Sequence, residues 1–132
     1  MIAHDLMYAL AIAIGGALGA CLRASIYVVA TRVYKTGSRA NFPHGTYIAN
    51  TLGSLILGLL SGLILSEHVS VLDRDLIGTG FCGSLTTFST FSNDSYTMIK
   101  SHRWKQLGAH FGLNLMVGFG AAALGYYSGQ NL

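Results

Sequence analysis

Residues 45–66 read GTYIANTLGSLILGLLSGLILS, 22 residues without a formal charge. A helix crosses the hydrocarbon core of a bilayer with about 20 apolar residues, within a range of about 17–25. The stretch therefore reads as a membrane span, and the rest of the chain divides around it in the same way. Leu6 to Ala30 is 25 residues with one arginine, Arg23. Leu76 to Ile99 carries only Asp94, near one end. Leu107 to Tyr127 is 21 residues with no formal charge. The expectation is an all-α membrane protein, a single domain over residues 1–132 with four transmembrane helices.

Composition agrees. Eight Lys+Arg and five Asp+Glu make 10% of 132 residues, while 52% are hydrophobic. A soluble domain carries about 25% charged residues. A disordered chain needs high charge and few apolar residues. Two cysteines give neither a disulfide framework nor zinc-ligand spacing. Leu6–Ile14 has the length of a signal-peptide core, but no Lys or Arg precedes it and the apolar run resumes after Arg23, so cleavage is not expected. Tyr27, Tyr34, Phe42, Tyr47, Tyr96, Trp104, Tyr126 and Tyr127 fall near span ends, where amphipathic rings favour the interface. Gly15 and Gly19, Gly58 and Gly62, and Gly108 and Gly112 are spaced by four, the pattern that lets helix backbones approach closely. Three such pairs predict a tightly packed bundle.

Charge also orients the chain. Of the links between spans, the first and third hold Arg32, Lys35, Arg39, Lys100, Arg103 and Lys105; the side with the middle link and both termini holds Arg74 alone. The positive-inside rule places the basic links in the cytoplasm and both termini outside, in the cell membrane.

The third span is unusual for a lipid-facing helix. Between Gly78 and Ser92 lie three glycines and seven Ser/Thr residues. Gly78, Gly80 and Gly83 fit G-x-G-x-x-G, but no βαβ unit surrounds them, which excludes dinucleotide binding. No base and orienting acid accompany the hydroxyls, which excludes a nucleophile set and an enzyme of that kind. Two readings remain: a packed helix with back-bonded hydroxyls, or a helix broken where protein or a water-filled cavity covers it. In the second, freed carbonyls could hold a cation. Phe88 and Phe91 share a helix face. They serve either as core or as ring edges whose positive rim solvates a small anion, with Ser89, Thr90 and Ser92 donating along the same path. Thr46 and Asn50 share a face of the second span, and His110, Asn114 and Gly118 a face of the fourth. Each polar residue could be interhelical glue, but three such stripes together favour a polar pathway. Arg23 either snorkels to the interface or draws anions into a vestibule. The first, second and fourth spans lack Asp and Glu, which argues for passive conduction rather than proton coupling.

The run Gly80-Phe-Cys-Gly-Ser-Leu-Thr-Thr-Phe-Ser-Thr-Phe-Ser92 resembles the third-helix signature of the Fluc/CrcB fluoride channels. Gly15-Gly-Ala-Leu-Gly-Ala-Cys-Leu-Arg23 resembles their first-helix segment, and Gly45-Thr-Tyr-Ile-Ala-Asn50 their second-helix motif. The resemblance implies a dual-topology dimer of antiparallel subunits with two fluoride pores and a broken third helix. It maps pore-lining roles to Phe88, Phe91, Asn50 and Thr46, and places Arg23 near the vestibule. It implies a structural sodium ion at the dimer centre, held by the backbone carbonyls of Gly83 and Thr86. The expected partners are fluoride, the lipid bilayer and a second subunit, with no nucleic acid. The chain departs from the family in three places. His110 and Asn114 stand where the fourth helix usually has Tyr and Ser, and Ser84 replaces the motif's second glycine. A protonated His110 would hold an anion more tightly, so His110→Tyr is expected to alter the flux–pH profile; an unchanged profile removes His110 from the account. The charge bias of six to one is large for a chain that inserts both ways, so the second subunit is either another copy or an oppositely oriented homologue. A small multidrug transporter would need an early membrane carboxylate, which is missing. A non-transporting scaffold would need few buried donors.

Overall fold

A computed structural model describes residues 2–34 and 42–132. Lys35 and Arg39, two of the basic residues that set the expected orientation, lie outside the described residues. Helix α1 runs Ile2–Val33 and α2 runs His44–Leu65. A single turn, α3 (Val71–Asp73), passes into a π-helical stretch, π1 (Arg74–Cys82), and then α4 (Gly83–Leu85). Helices α5 (Phe88–Lys100) and α6 (Trp104–Gln130) complete the chain. There is no strand among the described residues. Three helices, within Ala3–Val33, His44–Leu65 and Trp104–Gln130, are long and apolar enough to cross a membrane. The segment 71–100 has no uninterrupted helix of that length, because Thr86 and Thr87 adopt extended backbone (ψ 154° and 124°).

The ends follow local chemistry. Asp5 in the first turn of α1 and Arg32 in its last turn complement the helix dipole. Ser70 and Asp73 form a reciprocal capping box that starts α3. Helix α2 closes in a Schellman motif: Glu67 N donates to Ile64 O (3.1 Å) and His68 N to Leu63 O (3.2 Å). Helix α5 closes identically, with His102 N on Ile99 O (3.0 Å) and Arg103 N on Met98 O (2.8 Å). Both motifs place a non-glycine residue at positive φ, Glu67 at 59° and His102 at 55°. A side chain costs energy in that region that glycine avoids. Glu67→Gly is expected to stabilise the chain by about 0.5–1 kcal/mol, read as a higher melting midpoint in detergent; a lower midpoint would show no strain there.

Glycine decides the packing. A Cβ added at Gly15 would overlap the Leu76 carbonyl, one at Gly19 the Phe81 carbonyl, and one at Gly80 the Ile12 carbonyl. Thus α1 and π1 touch backbone to backbone. The same holds between α2 and α6, where Gly58 faces Ala122 O, Gly62 faces Tyr126 O, Gly125 faces Leu55 O and Gly129 faces Leu59 O. Lipid gives helices no hydrophobic drive to associate, so such close approach is what holds them. The third glycine pair read from spacing is corrected: among the described residues, a Cβ at Gly108 or Gly112 meets nothing within 4 Å. Spacing marks where a backbone can be approached, not whether a helix of the same chain does so. The pair that α6 uses against α2 is Gly125 and Gly129, seventeen residues further along.

Candidate functional site

The two extended threonines organise the site. In an uninterrupted helix the Thr87 amide would donate to Gly83 O and the Thr90 amide to Thr86 O. Here Thr87 N donates to Asn50 Oδ1 (2.9 Å), and Thr90 N donates to Thr87 Oγ1 (3.3 Å), capping α5. The Gly83 and Thr86 carbonyls therefore lose their helical donors. Thr86 itself stays tied to the preceding turn, through N and Oγ1 on Cys82 O (3.0 and 2.9 Å). Ser89 is exposed, with its hydroxyl 2.9 Å from Thr87 Oγ1. Thr90 Oγ1 is buried without a hydrogen-bond partner among the described residues.

From Asn50 a polar chain crosses to α6. Asn50 Nδ2 donates to Asn114 Oδ1 (3.4 Å). Asn114 Nδ2 reaches His110 O (2.8 Å) and His110 Nδ1 (3.2 Å). With Nδ1 accepting from the amide, the proton at Nε2 is the one that reaches Phe91 O (3.4 Å). The His110 side chain is fully buried, stacked on Phe91 at 4.5 Å and 25°. Phe91 also meets Phe88 at 5.9 Å and the edge of Phe111 at 4.8 Å. Phe88 is 79% exposed. A cavity of about 400 Å³ is lined by Asn50, Thr86, Thr87, Phe88, Phe91 and Asn114, among others. The structure thus gathers residues from α2, the extended pair, α5 and α6 around one space.

Other residues read from the sequence lie elsewhere. Thr46 is fully buried and takes no part in the Asn50–Asn114–His110 bonds. Its hydroxyl donates to Asp94 Oδ2 (2.6 Å), so it accepts from Tyr27 Oη (2.5 Å). Thr46 and Asn50 share a helix, yet they serve two networks. Tyr27 and Asp94 also line a second cavity of about 310 Å³, with Tyr34, Phe42 and His44. From the sequence, Asp94 falls near a span end and Tyr27 among the interfacial rings; the structure instead joins both through Thr46, and a carboxylate within an apolar stretch is the signal that points there. Arg23, half-buried on α1, lines neither cavity. Gly83 is exposed, so its carbonyl lies near the surface of the single chain.

Residues 10–126 match the family described as CrcB-like protein, Camphor Resistance (CrcB). The chain belongs to the CrcB family. CrcB relatives match it along nearly their whole length. The protein named Fluoride-specific ion channel FluC 1 of Thermobifida fusca is 41% identical over 119 residues, 90% of this chain and 92% of that protein. Fluoride-specific ion channel FluC of Vibrio cholerae is 37% identical over 117 residues, covering 88% and 90%. The protein of that name in Pseudoalteromonas translucida is 42% identical over 115 residues, covering 86% and 92%. Together with its three long apolar helices, this makes the CrcB chain a multi-pass membrane protein.

Proposed function

We propose that this chain is the subunit of a passive fluoride channel that lowers cytoplasmic fluoride, and not an enzyme. One observation carries the reading: the 400 Å³ cavity joins two phenylalanine rings to amide and hydroxyl groups and has no carboxylate in its lining. Such a lining can replace the water around a small anion with ring edges and N–H or O–H donors. Phe88, Phe91, Asn50 and Asn114 line this path; His110 fixes Asn114 and Phe91, and Ser89 and Thr90 offer hydroxyls along α5. Thr46 holds Asp94 and Tyr27, which line the second cavity, and Arg23 draws anions toward a mouth. No pump is needed. An inside-negative potential favours anion exit by about 2.3 kcal/mol per charge per 100 mV. The names of the relatives support fluoride as the ion.

In this reading the segment 71–100 is the third of four transmembrane spans, interrupted at Thr86–Thr87, and the working unit is an antiparallel, dual-topology dimer. The Gly83 and Thr86 carbonyls, stripped of their helical donors, suit a hard cation such as Na⁺. One chain offers this pair, and a second subunit across a two-fold axis would complete the ligand set. A bound sodium ion would supply fixed positive charge that stiffens the dimer centre, while fluoride travels the residues named above. The partner is another copy, or a homologue of opposite charge bias.

The test is fluoride efflux from liposomes holding this chain alone, with chloride as control. Fast fluoride-selective efflux is expected. Failure that persists after adding an oppositely biased homologue would overturn the channel. Replacing sodium on both sides by a bulky organic cation is expected to abolish flux, and undiminished flux removes sodium from the account. Reporters on the C-terminus distinguish the two dimers: both orientations in similar amounts exclude the sister subunit.

A further inference from the structure

The end of α5, the short connection and the start of α6 carry Lys100, Arg103 and Lys105 within six residues and no carboxylate. The Schellman closure of α5 reverses the chain in three residues, so these cations converge on one corner. Arg103 Nη1 donates to Gln106 Oε1 (3.0 Å), which steadies the guanidinium against the start of α6. Lys100 and Lys105 are exposed and have no acidic partner among the described residues. A surface cavity of about 450 Å³ opens here, lined by His102, Arg103, Trp104, Lys105 and Gln106. Trp104 is 58% exposed, its indole set edge-on to the His102 ring at 6.3 Å. It is also the first residue of a helix able to cross the membrane, which puts the cavity at the membrane–water boundary.

We propose that this corner is a binding site for the headgroup of an anionic phospholipid. Cations in an open cavity suit the phosphate, and an exposed indole at that depth favours the headgroup–acyl boundary. A free phosphate would have no use for the indole. The opposite end of the bundle provides the contrast: it holds Glu67, Asp73 and Asp75, and its Arg74 is paired to Asp75 at 3.2 Å. The preference is therefore confined to one end. It is independent of which ion the chain conducts.

Trp104 is the sole tryptophan, so its fluorescence reports on the site directly. The full chain is reconstituted in phosphatidylcholine vesicles containing brominated phosphatidylglycerol or, at equal mole fraction, brominated phosphatidylcholine. Stronger quenching by the anionic lipid is expected. Lys100→Gln and Lys105→Gln should each reduce that preference by about fivefold, toward parity. Lys100→Arg and Lys105→Arg should keep it, which separates loss of charge from loss of structure. Equal quenching by both lipids, or an unchanged preference in the double Gln variant, overturns the proposal. Release of the quenching by added inorganic phosphate assigns the site to a soluble anion and overturns it as well.

Discussion

Asn50→Asp is expected to leave the chain folded and to cut fluoride flux by roughly two orders of magnitude. The substitution keeps the shape of the side chain. It also keeps the oxygen that accepts from Thr87 N at 2.9 Å, so the extended pair and the start of α5 retain their anchor. What changes is the other half of the group. The amide that donates to Asn114 Oδ1 at 3.4 Å becomes a second acceptor facing an acceptor. A negative charge also enters the cavity shared with Phe88 and Phe91. Two like charges about 5 Å apart repel by about 3 kcal/mol at an effective dielectric near ~20. Since about 1.4 kcal/mol is tenfold in rate, this gives the stated loss. Efflux from liposomes at matched protein density reads the effect, and elution in gel filtration reports on the fold. Native flux in a folded Asn50→Asp protein would take the cavity out of the ion path. Loss of folding would mean instead that the bond to Asn114 holds α2 and α6 together.

How much of this was legible beforehand depended on whether the constraint was local. Lipid forbids unpaired charge, so the uncharged run up to Ser66 marks α2 almost to the residue, with helix from His44 to Leu65. Gly58 and Gly62 announced a close approach, and one exists, but the pair they meet, Gly125 and Gly129, could not be chosen from spacing. The glycine pattern of α6 repeats along its length, and only the crossing with α2 selects which part is used. The Ser/Thr/Gly content of residues 78–92 left two conformations open, because the bond that diverts the Thr87 amide comes from Asn50, 37 positions earlier. The same non-locality hid the split between Thr46 and Asn50. Their spacing gives a common face, but Asp94 and Tyr27 claim one side chain while Asn114 and Thr87 claim the other.

Gly58→Val should be severely damaging to the fold, and Gly125→Val similarly so. At both positions the added Cβ meets a backbone carbonyl, Ala122 O for Gly58 and Leu55 O for Gly125. A flexible side chain could move aside; a carbonyl in a helix cannot without moving the helix. The two helices must then separate, and Gly62 and Gly129 lose their contacts with Tyr126 and Leu59 together with the mutated site. Overpacking a core costs about 1–3 kcal/mol where side chains can adjust, so a backbone overlap should cost about 3 kcal/mol or more. The expected result is aggregation, or failure to purify as a single species in detergent. Gly108→Val is the matched comparison on α6, since a Cβ there meets nothing within 4 Å among the described residues. It should leave the subunit folded. A well-behaved Gly58→Val protein would show that the α2–α6 contact is not what holds the subunit together. If Gly108→Val or Gly112→Val instead leaves a folded chain that no longer self-associates, those open glycines face the second subunit, and the spacing that failed within one chain becomes meaningful between two.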